Sequence, residues 1–216
     1  MLLYNINMTG KTHFSTSMLA GEAYALSVGS KDPVIGIATG IGGLLPDIDT
    51  KHSTISVLII RNLFIIVVFL AIIFFNTVPK NFSAIYVIRM IPLLSFLIAG
   101  AVSKHRTFTH SLIGLMLFAF GLWLISFNVP EIKNYTAFVV IGYVIHLAED
   151  AMTVSGIPLL YPFKKKCYKI KFKKIKIKTN GTFDNAIGTI AFLFIIVLYY
   201  YQFSGTVPFI SKLIHK

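Results

Sequence analysis

Cysteine, tryptophan and acidic side chains are scarce in this chain of 216 residues, which has one cysteine, one tryptophan and eight aspartate and glutamate residues together. The single cysteine, Cys167, excludes an intramolecular disulfide and a thiolate metal cluster. Any metal ion would therefore be held by imidazole and carboxylate groups. Residues 1–11 lack the basic region and cleavage site of a secretory signal, so no cleaved leader is expected.

The composition is too apolar for a water-soluble domain of this length. Hydrophobic residues make up 56% of the chain and charged residues 13%, and the mean hydropathy is +0.77. We therefore expect an all-α polytopic membrane protein, a bundle of about five to seven helices forming a single integral-membrane domain over residues 1–216. The first two apolar segments are short, so they either span the bilayer or enter and leave it on one face. The predicted helices cover 13–28, 34–45, 56–78, 83–102, 107 or 109 to 127, 135–151 and 184–203.

The second segment is rich in glycine and ends at a proline. Small residues let helix backbones approach closely, so this segment is predicted to be buried among its neighbours. Pro46 ends the regular structure, and Asp47 and Asp49 follow it. In extended backbone, residues two apart point to the same side, so both carboxylates are available to one site. Capping of the next turn, or pairing with Lys51 or Arg61, is the alternative role for these two acids.

A polybasic segment, Lys164 to Lys178, holds nearly half of the lysine and arginine residues. Lysine alternates with apolar residues from Lys169 to Lys178, which predicts a short strand or hairpin at the membrane surface. The positive-inside rule places this segment, over 164–183, in the cytoplasm of a multi-pass protein of the cell membrane. Anionic phospholipid is its expected partner, and nucleic acid is not expected because aromatic residues suited to base stacking are few.

Histidine and aspartate residues cluster at the predicted cytoplasmic ends of the helices. His146 and Asp150 are four residues apart, so a helix places them on one face. Unpaired polarity beside an apolar segment is costly, which favours metal binding by such pairs. Glu22, within the first segment, is either a further ligand or a hydrogen-bonded partner. The expected metal ligands are His13, Asp47, Asp49, His105, His110, His146 and Asp150.

Imidazole and carboxylate groups together suit zinc, with manganese or iron as alternatives. The number of ligands predicts a site of about two or three ions, two of which Asp47 or Asp49 would bridge. Bound water would then supply hydroxide at neutral pH, and Arg106 would hold a phosphate group. Arg106 and Asp49 are thus the expected catalytic residues, and hydrolysis of a phosphoester is the chemistry they favour.

Five motifs occur in order along the chain: Thr12-His13, Leu45-Pro46-Asp47-Ile48-Asp49, His105-Arg106-x-x-Thr109-His110-Ser111, His146-x-x-x-Asp150 and Gly156-Ile157-x-Leu159-Leu160-Tyr161-Pro162-Phe163. Together they resemble the YdjM-like family of inner-membrane-associated, metal-dependent hydrolases. That family is distantly similar to zinc-dependent phospholipases C, which implies phosphodiester hydrolysis. Those soluble enzymes use several His-x-x-x-Asp/Glu pairs, whereas one is evident here.

The sequence therefore predicts a membrane-embedded metal-dependent hydrolase acting on phosphoesters, including phospholipids, at the cytoplasmic face. A non-enzymatic membrane protein that binds or transports metal ions would use the same ligands and is the alternative. A third interpretation is an interaction protein that recruits a partner or lipid through the polybasic segment. Metal content would separate the third interpretation from the other two.

Overall fold

The computed structural model describes residues 9–49, 84–104, 106–170 and 181–204. Within these ranges it contains six α-helices, two short 3-10 turns and no β-strand, which confirms the all-helical fold class. The helix expected at 56–78 lies outside the described residues. The α-helices are α1 (Gly10–Ser27), α2 (Val34–Leu44), α3 (Ala84–Val102), α4 (Leu112–Ser126), α5 (Lys133–Ala151) and α6 (Thr182–Ser204), and the 3-10 turns are Leu45–Asp49 and Pro130–Ile132.

The helices divide between two compact units. The first unit contains α1, α2, most of α5, and α6, and its described residues are 9–44, 137–156, 169–170 and 181–204. The second unit contains the Leu45–Asp49 turn, α3 and α4, and its described residues are 45–49, 84–104, 106–136 and 157–168. The single domain expected from the sequence stays a prediction.

In the first unit, α2 packs against α1 through its glycines. A Cβ atom on Gly36 would lie 2.0 Å from Glu22 Oε1, and one on Gly40 would lie 2.8 Å from Phe14 Cε2. A Cβ atom on Gly43 would likewise lie 2.7 Å from the backbone carbonyl oxygen of His13. This confirms the close packing predicted for the glycine-rich segment, since side chains of α1 occupy the space that a larger residue would fill.

The same helix crosses α5 at a second pair of glycines. A Cβ atom on Gly42 would lie 2.0 Å from the carbonyl oxygen of Val139, and one on Gly142 would lie 1.9 Å from that of Thr39. Both distances are far below van der Waals contact, so the two backbones touch here. Gly42 and Gly142 therefore determine how closely α5 approaches α2.

The starts of α1 and α6 are joined by Asp184, which is fully buried. Its Oδ2 accepts a hydrogen bond from Thr9 N at 3.0 Å, and its backbone carbonyl accepts one from Thr12 Oγ1 at 3.2 Å. One turn later, Gly188 lies against Thr12, because an added Cβ would be 2.8 Å from Thr12 Oγ1. The two helices therefore begin at the same end of the unit.

In the second unit, α3 and α4 pack through an aromatic core around Phe96, which is fully buried. The ring of Phe96 lies 5.1 Å from that of Phe118 and 6.0 Å from that of Phe108, measured between centroids. Arg89 is half-buried and donates to Asn128 Oδ1 at 3.0 Å. Pairing with Asn128 thus accounts for a charged residue inside an apolar helix.

The start of α4 differs from the prediction. Thr107 and Thr109 were expected to begin this helix, but Ser111 caps it, and its hydroxyl accepts a hydrogen bond from Gly114 N at 3.1 Å. Ser111 in an extended conformation satisfies a backbone N–H group that the first helical turn leaves without a partner. The hydroxyl of Thr109 bonds to Asp49 instead.

Within the described ranges, two helices are long and apolar enough to cross a membrane, α3 with 19 residues and α6 with 23. Both are mostly exposed along their length, and most of their exposed residues are aliphatic or aromatic. An apolar surface of this extent is unfavourable in water and suits lipid contact. On the shorter α4, the exposed residues Leu112, Met116, Phe120, Trp123 and Phe127 recur at helical spacing along one face. Two candidate spans among the described residues support membrane association, and a polytopic topology stays a prediction.

The polybasic segment is described only over 164–170, and that part is not a strand. Tyr168 forms an isolated antiparallel bridge with Ile157, and Ile170 N donates to the carbonyl of Ala151 at 2.8 Å. Of the strand or hairpin predicted from Lys169 to Lys178, only residues 169 and 170 are described, and these two are not in a strand; the rest of that prediction lies outside the described ranges. Lys164, Lys165, Lys166 and Lys169 are all exposed.

Candidate metal centre

The first unit brings together two histidines and two carboxylates, His13 of α1 with His146, Glu149 and Asp150 of α5. We call this group the first cluster. His13 Nε2 lies 3.6 Å from Asp150 Oδ1, and His146 Nε2 lies 3.8 Å from Asp150 Oδ2. Both imidazoles and Asp150 are buried, whereas the Glu149 side chain is 14% exposed. The helical pairing of His146 with Asp150 expected from the sequence is confirmed.

In both histidines of the first cluster, the Nδ1 atom is committed to a hydrogen-bond acceptor. His146 Nδ1 lies 2.7 Å from the carbonyl oxygen of Gly43, and His13 Nδ1 lies 2.5 Å from Glu149 Oε2. A carbonyl oxygen and a carboxylate oxygen both accept hydrogen bonds, so each Nδ1 carries the N–H when Glu149 is a carboxylate. The neutral ring then has its lone pair on Nε2, the atom directed at Asp150. This is the arrangement in which histidine binds metal ions, with the other ring nitrogen donating to a carbonyl or carboxylate group.

The two imidazole rings of the first cluster are stacked, with 3.8 Å between centroids and 28° between planes. Two protonated rings at this separation would repel each other by about 4 kcal/mol at an effective dielectric constant near 20. At most one ring is therefore expected to be charged. Glu149 and Asp150 carry two negative charges when ionised, so the buried cluster has an excess of negative charge that a divalent cation would neutralise.

The second unit brings together Asp47 and Asp49 of the 3-10 turn with Thr109 and His110, which precede α4. We call this group the second cluster. Asp47 Oδ1 lies 3.7 Å from His110 Nε2, and Asp49 Oδ2 lies 3.8 Å from His110 Nδ1. His110, Thr109 and Asp49 are buried, and the Asp47 side chain is 15% exposed. The extended backbone expected at 47–49 is wrong, and the 3-10 turn places the two carboxylates near different ring nitrogens of His110.

A chain of hydrogen bonds sets the tautomer of His110 as well. Thr109 Oγ1 donates its proton to Asp49 Oδ2 at 2.7 Å and lies 3.0 Å from His110 Nδ1. A hydroxyl has one proton, so it must accept from the Nδ1–H group of His110. The lone pair of His110 is then on Nε2, which lies near Asp47. The three histidines that are buried in the described part of the chain thus share one arrangement, with Nδ1 donating and Nε2 directed at a carboxylate.

Arg106 adopts a left-handed backbone conformation, with φ of 59°, in the loop before α4. Residues with a Cβ adopt this conformation at a cost, so a compensating contact is expected. Here Arg106 N donates to Asp49 Oδ2 at 3.0 Å. Asp49 therefore accepts from both Arg106 N and Thr109 Oγ1, and it ties the loop to the 3-10 turn.

Sequence comparison gives an independent indication of the family. The model of the YdjM inner membrane protein family matches residues 8–208. This chain belongs to the YdjM inner membrane protein family. The family resemblance predicted from the five motifs is therefore confirmed, and membrane association follows from the family and the two apolar helices.

A relative of this YdjM family member is the uncharacterized protein YvsG of Bacillus subtilis (strain 168). The two are 34% identical over 156 residues, which is 72% of this chain and 74% of YvsG. No solved structure matches the chain.

The structure brings most of the expected ligands into one cluster or the other. His13, His146 and Asp150 lie in the first cluster, Asp47, Asp49 and His110 lie in the second, and His105 lies outside the described residues. Glu22 is buried in α1 against Gly36 and belongs to neither cluster. Glu149 was not among the predicted ligands. The sequence feature that could have indicated Glu149 is its position three residues after His146, on a neighbouring face of α5.

Proposed function

We propose that this protein is a membrane-embedded, metal-dependent hydrolase that acts on phosphoesters. One observation carries the proposal: His13 and His146 each donate from Nδ1 and direct Nε2 at Asp150. Metal-binding histidines have this outer hydrogen bond because it fixes the ring and raises the basicity of the ligating nitrogen. The family resemblance, which implies a hydrolase, supports the same conclusion.

The side chains of the first cluster fit a metal ion in charge and in chemical type. The separations of 3.6 and 3.8 Å between nitrogen and oxygen exceed a normal hydrogen bond of about 2.7–3.2 Å. They are compatible with two donors that share one ion at about 2.0–2.2 Å from each. Zinc is the proposed ion, because imidazole and carboxylate together favour it over magnesium and calcium. His13, His146 and Asp150 would hold it, and Glu149 would orient His13.

In the second unit, Asp47 and His110 are proposed as metal ligands in their own right, again with Nε2 as the ligating nitrogen of the histidine. Asp49 accepts two hydrogen bonds through Oδ2, so its proposed role includes fixing the loop that carries Arg106. The guanidinium of Arg106, a half-buried residue, would bind a phosphate oxygen of the substrate, with exposed Lys104 adding positive charge nearby. A bound zinc ion would polarise the phosphoester and make hydroxide available near neutral pH.

The membrane arrangement is part of the proposal. We place the clusters and the polybasic segment on the cytoplasmic side, because positively charged segments are retained there. The exposed lysines at 164–166 and 169 would contact anionic phospholipid, each contributing about 1 kcal/mol near the surface. A phosphoester substrate would then be met at or near the cytoplasmic leaflet.

The decisive experiment measures metal content by mass spectrometry on detergent-purified protein and on the variant Asp150→Asn. The parent is expected to hold zinc and Asp150→Asn to lose it. The matched control is Glu22→Gln, which also neutralises a buried acid of the first unit but leaves the first cluster intact. A chromogenic phosphodiester is then supplied to all three proteins, and turnover should follow the zinc content.

The outcomes separate the candidate functions. Zinc that is retained equally by Asp150→Asn would overturn the assignment of the ligands. Zinc bound in the first cluster without turnover of any phosphoester would favour the non-enzymatic alternative, and flux of zinc in sealed vesicles would then be measured. A protein that purifies without metal and stays folded in chelator would leave the interaction protein as the remaining function.

A further inference from the structure

A crevice lies between α1 and α6 of the first unit, separate from the residues of the first cluster. Its volume is about 470 Å³, large enough for the headgroup end of a lipid. The residues of each helix that line it share one face. On α1 they include Lys11, Phe14 and Ser15, spaced by three and four residues, and on α6 they include Asn185, Gly188, Thr189 and Phe192 at the same helical spacing.

The lining changes from polar to apolar along the two helices. Because Thr9 and Thr12 both bond to Asp184, α1 and α6 begin at the same end of the unit. Lys11 and Asn185 lie in the first turns, whereas Phe192 lies about two turns further along α6, roughly 10 Å at 1.5 Å per residue. The crevice is therefore polar at one end and apolar at the other, over the depth at which a phospholipid changes from headgroup to acyl chain.

Charge and lipid exposure identify the occupant. Of the described residues that line the crevice, Lys11 is the only charged one, and its side chain is exposed. Phe192 is 53% exposed on the apolar flank of α6, one of the two helices able to cross a membrane. A positively charged side chain at the polar end of a crevice on a lipid-facing helix favours a lipid with a negatively charged headgroup.

We propose that this crevice is a binding site for a single anionic phospholipid. Lys11 holds the headgroup phosphate, with the Thr9 and Asn185 side chains beside it, and Phe14 and Phe192 contact an acyl chain. Thr12 lines this crevice and is followed directly by His13 of the first cluster. The role of the crevice as a substrate site rests on the proposed function. It deepens that function by naming an anionic phospholipid as the phosphoester.

The test uses the fact that Trp123 is the only tryptophan of the chain. In a Trp123→Phe background, Phe192→Trp places a fluorescent reporter in the crevice. Ile190→Trp is the matched control, because Ile190 is 54% exposed and does not line this crevice. Each protein is reconstituted in phosphatidylcholine nanodiscs in which a minor fraction of the lipid has brominated acyl chains, which quench nearby tryptophan. This brominated lipid is phosphatidylglycerol in one set of nanodiscs and phosphatidylcholine in the other.

The measured quantity is the ratio of quenching by brominated phosphatidylglycerol to quenching by brominated phosphatidylcholine. This ratio should be higher for the Phe192→Trp reporter than for the Ile190→Trp control. Adding Lys11→Ala should lower the preference about fivefold, which corresponds to about 1 kcal/mol. Lys11→Arg should retain the preference, and Lys31→Ala, which removes an exposed lysine elsewhere in the unit, should leave it unchanged.

Equal ratios at the two reporters, or a preference that survives Lys11→Ala, would overturn the lipid site. The measurement requires neither bound metal nor turnover, so it stands apart from the test of the hydrolase. A lipid preference in a protein without zinc would support the proposed lipid site and refute the proposed hydrolase function. Zinc-dependent turnover without a lipid preference would do the reverse.

Discussion

Replacing Gly142 with alanine should weaken metal binding, although Gly142 carries no ligand atom. The added Cβ would lie 1.9 Å from the carbonyl oxygen of Thr39 and 2.9 Å from Gly43 N. Ordinary contact begins near 3.4 Å, so α2 and α5 must separate by about the difference, roughly 1.5 Å. The hydrogen bond from His146 Nδ1 to the carbonyl of Gly43, now 2.7 Å long, cannot survive that separation.

Two opposing effects decide the stability of Gly142→Ala. Alanine in a helix interior is more favourable than glycine by roughly 0.5–1 kcal/mol. Overpacking of a tight interface costs about 1–3 kcal/mol, and here the obstacle is backbone, which cannot rotate away as a side chain can. The variant should therefore be less stable. Its affinity for zinc should fall about 10- to 100-fold, the usual effect of losing the hydrogen bond that orients a metal-binding histidine.

The assay is competition for zinc between the purified protein and a chromophoric chelator, with thermal unfolding measured in parallel. Gly121→Ala is the matched control, because its Cβ would lie 2.7 Å from Leu93 N in the second unit. It should lose stability and keep its affinity for zinc. Gly10→Ala, with 3.6 Å to Leu44 Cδ2, should change neither. A folded Gly142→Ala protein that binds zinc as tightly as the parent would refute this account of the site.

Three further predictions concern the other contacts of the clusters and the lipid surface. Glu149→Gln should lower zinc affinity about tenfold or more by weakening the orientation of His13, as measured by the same competition. Asp49→Asn should destabilise the loop at Arg106 by about 1–3 kcal/mol and speed hydrogen exchange there, and unchanged exchange would contradict the role given to Asp49. Trp123, which is 54% exposed, should be quenched by brominated acyl chains and shielded from aqueous acrylamide.

Local patterns in the sequence were sufficient to predict the helices and the packing of α2. Hydrophobic length identifies α3 and α6, and glycine at positions 36, 40 and 43 predicts a close neighbour. The His146 and Asp150 pair was predictable for the same reason, since helical spacing alone places both on one face. These features depend on residues close together in the chain.

Other features depend on partners distant in sequence, and local patterns did not predict them. The contact between His13 and Glu149 joins residues 136 positions apart, so the helical spacing of Glu149 from His146 does not identify His13 as its partner. Threonine is a common helix-capping residue, yet the hydroxyl of Thr109 bonds to Asp49, and Ser111 takes the capping position. The 3-10 turn at 45–49 likewise replaced the extended backbone expected after Pro46, because a proline ends a helix without specifying the backbone conformation of the next residues.

The burial pattern of α1 is the reverse of that of a helix in a water-soluble protein. Its buried face carries Thr12, His13, Ser15, Ser17 and Glu22, with Ala25 as the apolar member beside Gly21. Burying such groups costs free energy, and apolar residues of similar volume would stabilise the packing as well or better. Stability therefore does not explain this face. In a protein whose outer surface contacts lipid, polar and ionisable groups are retained inside for function, which is why α1 is central to both the proposed metal site and the proposed lipid crevice.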